Sequence, residues 1–127
     1  MMITLYGIKT CGSVRKAINL LEKHGVVFTF KDLKAITLTQ DQVISWIEKK
    51  GIKVVLNTKG TTYKTLKSHG EILDSIFTES SANQASLLVQ NPLLLKRPII
   101  TCGKSLIIGY DEEAILHLIH NYQNKRL

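Results

Sequence analysis

Short β-prone runs bounded by turn residues fall at the two ends of this 127-residue chain, with helical periods and caps between them, and that segregation limits the folds open to it. Ile3, Leu5 and Tyr6 make a short β-prone run ended by Gly7, and Val26 to Phe30 make a second. Between them Val14, Ala17, Ile18 and Leu21 recur at i, i+3, i+4 and i+7, one apolar helical stripe, and Gly25 stops that helix. Strand, helix, strand in this order predicts a βαβ unit with parallel strands and a right-handed crossover. Near the other end, Ile99 to Cys102 and Leu106 to Ile108 are β-rich runs joined by Gly103-Lys104, which suits a tight hairpin with glycine first. The last helix carries Asp111, Glu112 and Glu113 in its first turn, where carboxylates suit the helix dipole. Its apolar stripe is Ile115, Leu118, Ile119 and Tyr122.

The middle of the chain, Thr39 to Asn91, shows helical periods and caps instead of strands. Thr39 followed by Gln42 forms a capping-box pattern ahead of Val43, Trp46 and Ile47, and Gly51 closes that helix. Ser81 followed by Gln84 repeats the device ahead of Ala85, Leu88 and Val89, and Asn91-Pro92 ends it. Thr62 to Lys67 and Glu71 to Phe77 read as shorter helices separated by Gly70. The expected architecture is α/β: a thioredoxin-like fold, β-α-β then β-β-α, with a helical insert between the two halves. A single domain is expected over 1–127, with 1–35 and 92–127 forming the core and 36–91 the insert.

Hydrophobic content of 44% and charged content of 21% are those of a soluble globular protein. No apolar run reaches the roughly 20 residues that span a bilayer, and the N-terminus lacks a signal-peptide core, so no membrane partner and a cytoplasmic location are expected. The net charge of +7 favours anionic partners. Lys and Arg are nevertheless scattered, with no basic run and few aromatics placed to stack on bases, so nucleic acid is not an expected partner. Cys11 and Cys102 are far apart and show neither Cys-x-x-Cys nor Cys/His metal spacing. Free thiols are expected, with no metal and no bound organic cofactor.

Cys11 is the leading candidate nucleophile. It lies in a loop just before a helix, where unpaired N–H groups and the positive end of the dipole favour thiolate over thiol. Lys9, Arg15 and Lys16 are near in sequence, and nearby cations act in the same direction. The N–H groups of Gly12, Ser13 and Val14 are placed to bind an anion, and the Ser13 hydroxyl to donate to the sulfur. The alternative is an inert, buried small residue. Arg97 stands directly before Pro98, and in a thioredoxin-like fold a cis proline at this place faces the cysteine loop. Arg97 is then either a permanent cation at the site, fit for an oxyanion or a glutathione carboxylate, or a surface arginine in the turn before the strand. Lys59 either reaches the same site from the insert or is solvated loop. Cys102, four strand residues beyond Pro98, is expected roughly 13 Å from Cys11 at about 3.3 Å per residue, too far to resolve it.

The chain resembles the arsenate reductase/Spx family, and within it the small YffB-like members. The residues that carry the resemblance are LYGIKTCGSVRKA around Cys11, LNTKGTTYKTL from Leu56 to Leu66, NPLLLKRPII from Asn91 to Ile100, and LIIGYDEE ending at Glu113. The resemblance implies a thioredoxin-like fold with a helical insert, a catalytic Cys11, and Arg97-Pro98 as the arginine and cis-proline of the site. In the arsenate reductases the cysteine attacks arsenate, and glutathione with glutaredoxin completes the reduction. Those enzymes use three arginines, and only Arg97 has a clear counterpart here. The Spx regulators carry a Cys-x-x-Cys switch and bind RNA polymerase, whereas the second position here is Val14. The expected activity is therefore reduction of a small oxidised substrate by a single low-pKa cysteine, resolved by glutathione as external reductant or by a glutaredoxin. An Spx-like protein binding an RNA polymerase subunit and an arsenate reductase are the alternatives.

Overall fold

The structure, a computed structural model, describes residues 2–125. In chain order the elements are β1 (Ile3–Gly7), α1 (Gly12–Lys23), β2 (Phe28–Asp32), α2 (Gln40–Lys50), α3 (Ile52–Val55), α4 (Thr61–Ser68), α5 (Ser81–Gln90), β3 (Ile99–Cys102), β4 (Ser105–Ile108) and α6 (Glu112–Lys125). The chain divides into two compact units, Met1–Ala35 with Arg97–Leu127, and Ile36–Lys96. Residues 1, 126 and 127, the extremes of the expected 1–127 span, lie outside the described residues.

The first unit is a four-stranded sheet in the order β2-β1-β3-β4. β1 pairs parallel with β2, β3 lies antiparallel to β1, and β4 returns antiparallel to β3. One core joins Ile3 and Leu5 of β1 and Ile100 of β3 to Val14, Ala17 and Leu21 of α1 and Ile115 of α6, all fully buried. The apolar stripes read from the sequence are thus the buried faces of both helices. Asp111 stands just ahead of α6 and not inside it, its Oδ1 accepting from the Ala114 N–H at 3.1 Å. In the hairpin Cys102 pairs with Ser105, leaving Gly103-Lys104 as a two-residue loop with Gly103 at φ +59°.

β2 begins at Phe28, two residues after the expected Val26. The reason is the end of α1. Gly25, at φ +67°, donates to the Glu22 carbonyl at 3.0 Å, and Val26 donates to the Leu21 carbonyl at 3.1 Å. This paired closure commits the Val26 N–H to the helix, while its side chain is buried in the same core as Leu21.

In the second unit α2 packs on α5. Thr39 Oγ1 accepts from the Gln42 N–H at 3.1 Å, and Gly51 at φ +88° ends α2. The cap of α5 is Ser80, not Ser81: Ser80 Oγ accepts from the Asn83 N–H at 3.1 Å. Gln84 is buried, its Nε2 donating to the Ile76 carbonyl at 2.9 Å, and so cannot serve a capping box. That carbonyl belongs to a 3₁₀ segment, Asp74–Thr78, which replaces the α-helix expected over Glu71 to Phe77. The unit ends at Lys96, beyond the expected boundary at 91. Leu94 and Leu95 are fully buried, and Leu95 bridges Leu56. The Asn57 N–H donates to the Leu94 carbonyl at 2.8 Å, and the Lys96 N–H to the Val55 carbonyl at 2.9 Å. Burying each leucine is worth about 2 kcal/mol, which holds this stretch to the helical unit.

Candidate active site

Sheet register positions the site. Tyr6 of β1 pairs with Ile99 of β3, so the residue before Ile99, Pro98, lies at the end of β1 where the cysteine loop leaves the sheet. The Arg97–Pro98 peptide is cis, Pro98 is buried, and its carbonyl accepts from the Gly109 N–H at 2.8 Å. Arg97 is half-buried there.

Cys11 is the N-cap of α1, with extended backbone at φ −82° and ψ 125°. Its N–H donates to the Ile8 carbonyl at 3.1 Å, closing the loop, and its carbonyl accepts the first helical bond, from Arg15 N–H at 3.0 Å. The first turn holds no acidic residue to compete for the exposed N–H groups. The thiol is partly exposed, and burial, the largest single influence, raises its pKa. The Val14 N–H, the Arg97 side chain, the Ser13 N–H and the Arg97 charge together outweigh burial, so Cys11 ionises below its ordinary range.

The other expected residues distribute as follows. Gly12 and Ser13 are exposed in the first turn, while Val14 is fully buried beneath it. Arg15 is exposed, and Lys9 lies over the Phe30 ring at 5.5 Å from its centre. Among the cations, Arg97 is the one whose influence on the sulfur is resolved. Lys59 belongs to the helical unit, where its N–H donates to Asn57 Oδ1 at 3.1 Å and its side chain is exposed. Cys102 is a free thiol buried in the core. Among the described residues, no group of three His, Cys, Asp or Glu is placed to hold a metal ion, and no helix is long and apolar enough to cross a membrane.

Two features escape a pattern reading. Lys16 lies over the Tyr110 ring at 5.9 Å from its centre, a contact with no signal in either segment alone. Gly7, legible only as a strand end, touches Val14: a Cβ built on it would fall 2.6 Å from Val14 Cγ2. A glycine ending a strand just ahead of a cysteine loop is the one clue that sequence offers.

A β-α-β and β-β-α sheet unit, with a cysteine at the start of its first helix and a cis-proline on the adjoining strand, defines a protein of the thioredoxin-like fold. The ArsC family model matches residues 6–118, and the chain belongs to the ArsC family. It is 31% identical over 117 residues to the global transcriptional regulator Spx 2 of Bacillus cereus, covering 90% of this chain and 84% of that one. Among solved structures it is similar to a YffB protein, with a TM-score of 0.79, 27% identity and coverage of 93% of this chain and 99% of the other. It is also similar to a possible arsenate reductase from Streptococcus mutans, with a TM-score of 0.74, 27% identity and coverage of 86% and 91%.

Proposed function

We propose that the protein is a thiol-dependent reductase of the cytoplasm in which Cys11 is the nucleophile. The observation that carries this reading is the thiol at the start of α1 with the Arg97 guanidinium acting on it. The Cys11 thiolate displaces a leaving group from a small oxidised substrate, forming a covalent adduct through sulfur. Arg97 and the N–H groups of Gly12, Ser13 and Val14 hold the anionic oxygens of that substrate. Glutathione then attacks the adduct, which frees the reduced product and leaves a Cys11–glutathione disulfide. A second glutathione, or a glutaredoxin, attacks that disulfide, regenerating the thiolate and carrying away the oxidised pair. The two thiols supply the two electrons gained by the substrate. An outside thiol is needed because Cys102 is buried and Val14 stands where a second loop cysteine would be.

Alkylation rate against pH tests the nucleophile, and because Cys102 is buried the native protein reports Cys11. Wild type should react fast at neutral pH with its midpoint below that of a free thiol, and Cys11→Ser should not react. A midpoint at the ordinary thiol value defeats the proposal. Consumption of NADPH coupled to glutathione reductase then tests turnover on glutathione mixed disulfides and on arsenate.

A second reading, a regulator binding RNA polymerase, is supported by the 31% identity to Spx 2. It predicts retention of the chain on purified RNA polymerase subunits whether or not Cys11 is present. Absence of retention together with glutathione-coupled turnover removes it.

A further inference from the structure

We propose that Gly7 is a positioning residue for Cys11: its missing side chain lets Val14 seat on β1 and so holds the first turn of α1 under the sulfur. The inference rests on the reading of Cys11 as the working thiol. Gly7 does not occupy a backbone conformation reserved for glycine, since the positive-φ glycines lie elsewhere. What excludes a larger residue is space. A Cβ on Gly7 would stand 2.6 Å from Val14 Cγ2, 3.0 Å from Cγ1 and 3.4 Å from Cβ, and real Cβ atoms do not approach to the first of these distances.

The strand side of this contact is fixed. Gly7 pairs with Asp32 in the parallel register, and its carbonyl accepts from the Leu33 N–H at 2.9 Å. The cysteine side is tied as well, because the Cys11 N–H donates to the Ile8 carbonyl next to the strand end. Val14 is completely buried within the core of the sheet unit, where side chains are closely packed. An added methyl at residue 7 therefore displaces the first turn of α1 relative to a loop that stays anchored. The Val14 and Ser13 N–H groups move with that turn, and both act on the sulfur. The closeness of strand and helix is thus part of the thiol's electrostatic setting, and Val14, though apolar and hidden, contributes through its backbone.

The test is titration of the thiolate, by ultraviolet absorbance and by alkylation rate, in four proteins: wild type, Gly7→Ala, Val14→Ala and Gly7→Ala/Val14→Ala. Gly7→Ala is expected to raise the midpoint by about half a pH unit or more, a loss of about threefold in thiolate-limited rate below the midpoint. Removing both Val14 methyls leaves the 3.4 Å approach to Cβ as the nearest, so the double variant should titrate as Val14→Ala does. A packing defect without a role in positioning would lower the melting temperature and leave the midpoints alike. The inference is overturned if Gly7→Ala titrates as wild type, or if its shift survives in the double variant. Should Gly7→Ala not fold, the double variant decides: folding with the Val14→Ala midpoint supports the inference, and failure to fold or a raised midpoint overturns it. A wild-type midpoint at the ordinary thiol value instead defeats the reductase reading, an outcome visible in the same titration and separate from the comparison among variants.

Discussion

Arg97 acts on the Cys11 sulfur from the opposite half of the chain, carried there because Ile99 pairs with Tyr6 at the end of β1. The guanidinium is permanently charged, so it favours thiolate at every accessible pH and remains available to an anionic substrate once the sulfur has reacted. Helix N–H groups and one arginine thus share the stabilisation of a single charge.

Arg97→Ala should raise the Cys11 midpoint and slow alkylation at neutral pH about threefold to tenfold, the scale of one charge-assisted hydrogen bond at a partly exposed group. Arg97→Lys should recover part of the loss, since it keeps the charge without the planar fork. Superimposable rate profiles for wild type and Arg97→Ala would sink the assignment.

Stability should depend on pH through the same thiol. Burial raises the Cys11 pKa, but the Val14 N–H, Arg97 and the Ser13 N–H outweigh it, so the folded value lies below the unfolded value of about 8.5. Between the two values the unfolded chain binds more protons, and stability therefore rises with pH across that window. The contribution is complete above about pH 8.5 and is lost as pH falls through the lowered folded value. Urea midpoints of wild type and Cys11→Ser should diverge in this sense. A constant difference, or one that grows toward acid, contradicts it.

The cap of α5 separates two adjacent serines. Ser80→Ala should cost about 1 kcal/mol in urea unfolding, because Ser80 Oγ accepts from the Asn83 N–H. Ser81→Ala should stay within about 0.5 kcal/mol of wild type. The reverse order would place the cap one residue later.

Much of the fold is visible in local pattern. The stripe Val14, Ala17 and Leu21 is buried as its spacing implies, and Gly103-Lys104 closes a two-residue hairpin. Three of the misplacements concern local hydrogen-bonding groups with more than one possible partner. The Val26 N–H goes to α1 instead of β2, Ser80 caps in place of Ser81, and the chain near Asp74 coils as 3₁₀ where its carbonyl meets Gln84. Each choice is made by a neighbour that local spacing does not name.

Residue order alone determined that a cysteine precedes a helix, that the strands flank a helical middle, and that Arg97 adjoins Pro98. Those facts follow from periods, caps and turn residues, which are short-range. Tertiary structure decided which cation acts on the sulfur, because sheet register, and not nearness in sequence, carries Arg97 to the loop while Lys9 lies over Phe30. It also decided that Gly7 and Val14 touch, since strand-to-helix distance depends on how the whole sheet unit packs.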